Sequence, residues 1–286
     1  MNRLLPPLCV MAIAAAACCA AQSIQKEKVT PIIPIKAEPF SLYDVRLLDG
    51  PFKHAMDLDH KYLLSLDADR LLRNFRVNAG IATSAQPYGG WEAPDCELRG
   101  HFVGHYLSAC SMMYASTGDP ALKARAEYIV SALAECQKKL GTGYLSAFPE
   151  SFIDRVIALK PVWAPWYTLH KILAGLLDVY SYLGDRQALE VAEKMANWAK
   201  GRMDKLTDDQ MQKMLLNEQG GMNEALANLY AFTGNKDYLE LSERFDHRAV
   251  LDPLSQEEDR LTGLHANTQI PKVIGAARQY ELTGDA

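Results

Sequence analysis

The chain has 286 residues, of which 49% are apolar and 23% charged, so it can bury a large core as a globular protein. A formal net charge of −5 and a pI near 5.8, with no basic stripe, argue against nucleic acid as the natural partner. Six cysteines are present, and the spacing of Cys96, Cys110 and Cys136 matches no zinc-binding motif.

The N-terminus has the pattern of an export signal. Arg3 supplies the positive end, the run over 4–19 is apolar, and small residues at its end offer a cleavage site. Because the apolar run is short and interrupted by Pro6, no permanent membrane span is expected. We therefore predict a signal peptide over 1–21 and a periplasmic or extracellular location.

Residues 22–39 are polar and contain three prolines, which predicts an extended leader. A lipid anchor at Cys18 or Cys19 is the alternative to soluble export, and it is less favoured because the preceding alanines match a lipoprotein signal poorly. Three cysteines remain beyond the signal, and they cannot all pair with one another. Cys110 and Cys136 are predicted to be buried thiols.

The next segments lead into the helical part of the chain. Residues 40–52 alternate apolar and polar side chains, which predicts either a short strand or an extended arm. Pro51 then opens one long helix, predicted over 52–75. The loop over 78–99 is dense in polar and aromatic groups, and long ordered loops of this kind are usually functional.

A unit of two helices then recurs. In each unit a mostly apolar helix ends at a glycine that is followed by Asp or Asn, and an amphipathic helix follows. The apolar helices are predicted over 100–117, 168–183, 221–233 and 271–283, and the amphipathic helices over 120–140, 186–204 and 236–247. Thr168 is expected to cap the second apolar helix and to place His170 in its first turn.

The repeat predicts an all-α architecture with two layers. Helices that are apolar all round form an inner layer, and amphipathic helices form an outer layer. Closed into a ring, the layers make an α/α toroid; left open, they make a solenoid.

A loop of unusual chemistry precedes each apolar helix. In a ring these four loops converge on one face and line a funnel, where aromatic faces and hydrogen-bonding groups suit a polyhydroxylated ligand such as a sugar. This placement in loops favours a pocket over a non-enzymatic helical-repeat binding module. The candidate substrate-binding residues are Trp91, Asp95, Tyr167, His170, Glu218, Gln219, His265 and Gln269.

Several candidates also have a purely structural interpretation. His170 could be a hydrogen-bonded core histidine, and Glu218 could complement a helix dipole. His101 and His105 are four residues apart on a helix, a spacing that can hold a metal, but packing at the helix end is favoured. Asn267, near His265, could simply form a turn.

At these loops the sequence resembles a known family. The segments that carry the resemblance are GGWEAPDCELRGHFVGHYLSA, WYTLHKILAGLLDVY, NEQGGMNEALANLY and LHANTQIPKVIGAARQYELTGD. They resemble the β-L-arabinofuranosidases of glycoside hydrolase families 127 and 146, over about 40–286. The resemblance implies an (α/α)6 toroid followed by β-sandwich domains, with about four of six inner helices present here.

The resemblance also implies a function. It implies a retaining exo-β-L-arabinofuranosidase that acts on arabinose-containing oligosaccharides or polysaccharides of plants. The implied nucleophile is a cysteine thiolate held on zinc by cysteines and a glutamate, and a second glutamate is the implied acid/base.

The implied catalytic residues are not found at matching positions. In the family they follow the HANTQIP motif, whereas no cysteine follows Cys136 in this chain. The resemblance therefore assigns only sugar-binding positions, at His170, His265, Glu218 and Gln219. The chain alone is expected to hold no catalytic residue and no zinc, to lack arabinofuranosidase activity, and to be poorly soluble because inner helices are exposed.

A different toroid enzyme is the open alternative. An unsaturated glycuronyl hydrolase or a polysaccharide lyase would need its acid/base among four residues, Asp95, Glu97, His170 and Glu218. The carboxylates alone do not distinguish these enzymes from a β-L-arabinofuranosidase, because the sequence does not give the distances between the carboxyl groups.

Overall fold

The computed structural model describes residues 27–285, so the predicted signal peptide and the start of the leader lie outside the described residues. All regular structure within 27–285 is helical. The strand considered for 40–52 is wrong, and the segment is an exposed extended arm in which the Tyr43 hydroxyl donates to the Tyr182 carbonyl. No helix in the described range is long and apolar enough to cross a membrane.

The predicted helix over 52–75 is wrong, because two helices occupy this part of the chain. α1 spans Pro51–Ser65 and α2 spans Ala68–Asn78. The break lies at Leu66 and Asp67, both in extended backbone conformation, and the Asp67 carboxylate accepts two N–H groups of the first turn of α2. A cap of this kind stabilises a helix start by about 0.5–2 kcal/mol.

The predicted hairpins are present. Beyond α2 the helices are α3 (His101–Thr117), α4 (Pro120–Leu140), α5 (Ser151–Ile157), α6 (Pro165–Asp178), α7 (Arg186–Met203), α8 (Asp208–Met214), α9 (Met222–Thr233), α10 (Lys236–Arg244), α11 (Arg248–Ser255) and α12 (Ala266–Thr283). α3, α6, α9 and α12 pack side by side as the inner layer, and α4, α7 and α10 lie outside them. The two-layer, all-α prediction is therefore confirmed.

Each inner helix ends as the sequence predicts, and in the second unit a π-helical turn, Val179–Leu183, continues α6 to its stop at Gly184. Gly118, Gly184, Gly234 and Gly284 all adopt left-handed backbone angles, with φ between 73° and 78°. Only glycine adopts such angles without a steric cost, so these positions stop the helices. The next residue in the first three units accepts an N–H from the following helix, which begins the outer partner at once.

Three predicted helix bounds are wrong. α6 begins at Pro165, so Thr168 lies inside it and donates to the Leu98 carbonyl instead of capping, and His170 lies in the second turn. α12 begins at Ala266 and contains Pro271, which was expected to open the helix. α10 ends three residues before the predicted 247.

Two neighbouring helices of the inner layer, α3 and α6, meet at a glycine contact. A Cβ on Gly104 of α3 would lie 1.9 Å from the Lys171 carbonyl oxygen of α6, and one on Gly175 would lie 2.4 Å from the Gly104 carbonyl oxygen. The backbones therefore touch directly, which only glycine permits. This close crossing sets the side chains of the first turns of α3 and α6 next to each other.

The start of the described chain lies at the opposite end of the inner helices. The N–H groups of Lys28 and Val29 donate to the Ala231 carbonyl, near the end of α9. Glu27 forms an ion pair with Arg278 of α12. The N–H groups of Ile32 and Ile33 donate to the Glu281 carbonyl, so the leader satisfies backbone carbonyl groups near the C-terminal ends of α9 and α12.

Candidate functional site

The four loops meet at the N-terminal ends of the inner helices, as predicted. Trp163 Nε1 donates to Glu218 Oε2 at 2.9 Å, which joins the second loop to the third. His265 Nδ1 lies 3.7 Å from Glu218 Oε1, which joins the third to the fourth. The Tyr167 hydroxyl accepts from Asn267 at 3.1 Å, and its ring centroid lies 6.2 Å from that of His101.

Glu92 organises the first loop, although the sequence analysis did not select it. Its Oε2 accepts the Gly100 N–H at 2.7 Å, and its Oε1 accepts the Phe102 N–H at 3.0 Å. A carboxylate here satisfies unpaired donors and complements the dipole of α3. This role of Glu92 depends on the loop folding back onto α3, and no local sequence pattern indicates that. The role could therefore not be predicted from the sequence.

His101 joins the first loop to the second. Its Nδ1 lies 3.0 Å from the Leu98 carbonyl oxygen and 3.1 Å from Glu92 Oε1, so Nδ1 carries a proton. The ring packs edge-on against Trp91 and against His105, with centroids 6.0 Å and 5.8 Å away. Packing at the helix end therefore accounts for this histidine pair.

His170 is buried with only 3% of its surface exposed, at the centre of the loops. Its Nδ1 accepts the Gly221 N–H at 3.0 Å, so in the neutral ring the proton lies on Nε2. Burial, helped by the charge of Lys171 and by His105, holds the pKa of His170 well below its usual range. The site therefore contains a neutral imidazole whose Nε2–H lies 3.9 Å from Glu224 Oε2.

The double glycine of the third loop makes room for His170. A Cβ on Gly220 would lie 2.5 Å from His170 Nδ1. Glycine at this position lets the loop backbone approach the imidazole and donate to it.

Glu224, in the first turn of α9, is the acceptor that faces His170. It is half-buried, and burial raises the pKa of its carboxyl, while the nearby Lys171 ammonium acts in the opposite direction. Lys171 also lies over the Tyr167 ring, with its Nζ 5.0 Å from the centroid. Glu224 was not among the predicted site residues, since an acidic residue in a first turn usually only complements the helix dipole.

Glu97 fixes the rim of the second loop. Its Oε2 accepts the Trp163 N–H at 2.7 Å, and its Oε1 pairs with Arg155 at 2.7 Å. Burial alone would raise the pKa of Glu97, but the Trp163 N–H and the Arg155 guanidinium lower it overall. Glu97 is thus held ionised as a structural group.

Within residues 27–285, three predicted site residues form no hydrogen bond or ion pair with the groups of this cluster. Asp95 is exposed on the first loop, and Gln269 donates to Thr268 and accepts from the buried Lys272. Gln219 is only 1% exposed, and neither of its amide atoms has a hydrogen-bond partner within residues 27–285. Their proposed contacts with a ligand stay predictions.

The described residues do not fit the zinc site that the family resemblance implies. Across 27–285, no group of three or more His, Cys, Asp or Glu side chains is arranged to hold a metal ion. Burial raises the pKa of the Cys110 and Cys136 thiols to about 11, so both stay protonated at neutral pH. A zinc-held nucleophile needs a thiolate, and neither residue supplies one.

Asp178, on α6, makes stability depend on pH. Burial raises the pKa of its carboxyl from 3.8 to about 6, even though the Ser108 hydroxyl donates to it. Between about pH 4 and pH 6 the folded chain keeps a proton that the unfolded chain releases, so Asp178 lowers the free energy of unfolding by roughly 2 kcal/mol as pH rises through this range.

We expect Asp178→Asn to remove this contribution and to raise stability at pH 7. The measurement is urea denaturation of both chains from pH 4 to pH 7. The difference between the two free energies of unfolding is the readout, because other buried carboxyl and imidazole groups titrate equally in both chains. Parallel stability curves would contradict the assignment.

The fold and the site together define a class. A two-layer all-α fold that gathers aromatic, imidazole and carboxylate groups at the N-terminal ends of its inner helices has the features of a protein that binds a small polar ligand. A family model described as "Beta-L-arabinofuranosidase, GH127 catalytic domain" matches residues 44–286. The chain therefore belongs to glycoside hydrolase family 127.

Solved structures support the fold. A GH127 β-L-arabinofuranosidase from Geobacillus stearothermophilus T6 aligns with a TM-score of 0.53 at 19% identity, over 79% of this chain and 37% of that one. A second GH127 β-arabinofuranosidase aligns with a TM-score of 0.55 at 17% identity, over 91% and 42%. The chain thus spans about two fifths of the length of these structures. No curated protein matches it.

Proposed function

We propose that this chain supplies the sugar-binding part of a retaining exo-β-L-arabinofuranosidase, and that it holds a terminal β-L-arabinofuranosyl unit of plant glycans. The observation that carries the proposal is the pairing of His170 with Glu224 beside the pairing of His265 with Glu218. Both pairs lie where the four loops converge, and all four residues fall within the range 44–286 that the family model matches.

The His170 and Glu224 pair suits neighbouring hydroxyl groups. His170 Nε2–H is a donor and the Glu224 carboxylate is an acceptor, and their 3.9 Å separation is too long for a direct hydrogen bond. A sugar hydroxyl both donates and accepts, so one hydroxyl can bridge the two groups. Because both groups are at least half-buried, such bonds gain more than they would in water.

The second pair forms the rim. Trp163 and His265 hold Glu218 from two sides, through a hydrogen bond of 2.9 Å and a contact of 3.7 Å. The Trp163 ring is partly exposed, and it offers an apolar face to the C–H side of a sugar. The rim therefore orients the ligand, while His170 and Glu224 bind its hydroxyl groups.

No step of the cleavage reaction is assigned to residues 27–285. The resemblance implies a zinc-held cysteine and a separate acid/base glutamate, and among residues 27–285 no group of three or more His, Cys, Asp or Glu side chains is arranged to hold a metal ion. Export from the cytoplasm, which the N-terminal signal pattern indicates, is part of the same proposal because plant glycans lie outside the cell.

Binding selectivity tests the proposal. We expect methyl β-L-arabinofuranoside to bind the chain in calorimetric titration, and the α-anomer and methyl β-L-arabinopyranoside to bind at least about tenfold more weakly. Hydrogen bonds to charged groups are worth about 1.5–3 kcal/mol, and tenfold is 1.4 kcal/mol. Equal affinity for all three sugars, or no heat with any of them, would contradict the proposal.

A further inference from the structure

A second pocket lies beside the loop cluster, between α1, the 79–99 loop and the start of α3. Its volume is about 260 Å³. Tyr62, Tyr88, Trp91 and Phe102 supply its aromatic walls, and His101 lies at its edge. Tyr62 and Trp91 are 56% and 64% exposed, so two aromatic faces stand open to a ligand.

The wall on the loop side is held rigidly. The Tyr88 hydroxyl accepts the Asp67 N–H at 2.9 Å, and the Arg70 guanidinium lies 4.0 Å from the Tyr88 ring centroid. Arg70 also donates to the carbonyl groups of Gln86 and Pro87, which ties the loop to α2. A wall fixed in this way costs little entropy when a ligand binds.

The pocket offers no unpaired carboxylate. Glu92 is its acidic member, and its two oxygens already accept the Gly100 and Phe102 N–H groups and face His101. A charged ligand would find no free counter-charge among these groups. Open aromatic faces with little free charge suit a neutral ring that presents C–H bonds on one side, which is the property of a neutral sugar.

The pocket adjoins the proposed sugar site through one side chain. The His101 ring packs against Trp91, which lines the pocket, and against Tyr167, which lies in the loop cluster. The ring centroids of Trp91 and Tyr167 lie 6.0 Å and 6.2 Å from that of His101, so the pocket and the loop cluster flank one imidazole. Consecutive sugar units of one glycan chain are the ligand that would contact both sides of this ring.

From this arrangement we infer that the pocket between α1 and α3 is a second subsite, which holds the neutral sugar unit next to the terminal arabinofuranosyl unit. Tyr62 and Trp91 stack on the two faces of that unit, and Tyr88 and Phe102 close the pocket beneath it. This inference rests on the proposed function, because the terminal unit must first occupy the His170 site.

Fluorine NMR of the chain labelled with 5-fluorotryptophan separates the two regions. The chain has four tryptophans, whose signals are assigned by single Trp→Phe variants. We expect methyl β-L-arabinofuranoside to shift the Trp163 signal alone. At least one member of a set of arabinofuranosyl disaccharides with different linkages should shift both Trp163 and Trp91.

Removing the Tyr62 ring tests the subsite directly. Tyr62→Ala should weaken the affinity for that disaccharide about fivefold, because aromatic contacts are worth about 0.5–1.5 kcal/mol, and leave the monosaccharide affinity unchanged. Tyr62→Phe keeps the ring face and should retain the affinity. Tyr280→Ala, which removes an exposed tyrosine near the far end of α12, is the matched control and should have no effect.

The outcomes separate the two proposals. Disaccharides that shift Trp163 but never Trp91, or a Tyr62→Ala chain with unchanged disaccharide affinity, overturn the subsite and leave the proposed function standing. Sugars that shift neither Trp163 nor Trp91 overturn both.

Discussion

Gly104→Ala should destabilise the chain by more than about 3 kcal/mol, because overpacking typically costs about 1–3 kcal/mol even where neighbours can move. Here they cannot move easily. The new Cβ would lie 1.9 Å from the Lys171 carbonyl oxygen and 2.2 Å from its carbonyl carbon, and both are backbone atoms inside α6. α3 and α6 must separate, which opens the core and displaces His101 from Tyr167.

The measurement is the urea midpoint of the variant, and a second glycine provides the control. Gly201 also lies within a helix, α7, and a Cβ there would meet nothing within 4 Å. Gly201→Ala should raise stability by about 0.5–1 kcal/mol through the better helix propensity of alanine. Similar midpoints for the two variants would show that the helix crossing is not held as close as described.

Glu224→Gln should lower the affinity for methyl β-L-arabinofuranoside at least about tenfold, since a hydrogen bond to a charged group contributes about 1.5–3 kcal/mol. The same change should not lower stability. Burial raises the pKa of the Glu224 carboxyl, so the ionised group is unfavourable in the folded chain and a neutral amide relieves that cost. Loss of binding without loss of stability distinguishes a ligand-binding role from a structural role.

Calorimetric titration and urea denaturation of the same samples provide the two readouts. Glu240→Gln is the matched control, because Glu240 has a side chain 66% exposed on the outer helix α10 and should affect neither binding nor stability. A Glu224→Gln chain that binds the sugar as tightly as the unchanged chain would remove Glu224 from the site.

Much of the fold could be predicted because its signals are local. The glycine stops at 118, 184, 234 and 284 and the Asp or Asn caps that follow them depend only on neighbouring residues. The break at Asp67 was missed because the apolar pattern continues across it. The helices α5, α8 and α11 are too short to show a helical period, with seven or eight residues each.

The predicted starts of two proline-containing helices were wrong, in opposite directions. Pro165 is the first residue of α6, whereas a later start at Thr168 was expected, and Pro271 lies inside α12 although it was expected to open it. Proline at the start of a helix is favourable, and its tolerance further in depends on whether packing compensates for the lost hydrogen bond. That packing is not visible in the sequence.

The site could be predicted only as a set of loops. Glu218, Tyr167 and His170 are in the cluster, but Glu92 and Glu224 were missed. Their importance comes from partners more than a helical turn away, such as the Phe102 N–H for Glu92 and His170 for Glu224. Asp95 is exposed on the first loop and Gln269 bonds to Thr268 and Lys272, so their contacts with a ligand stay predictions.

The central claim is that the sugar binds where the loops meet at the N-terminal ends of the inner helices. A cavity of about 840 Å³, lined in part by Trp198, lies between α4 and α7 in the outer layer and is one competing location. Titration of the 5-fluorotryptophan-labelled chain with methyl β-L-arabinofuranoside decides between them. We predict a saturable shift of the Trp163 signal with Trp166 and Trp198 unchanged; a shift of Trp198 with Trp163 unchanged would contradict the account.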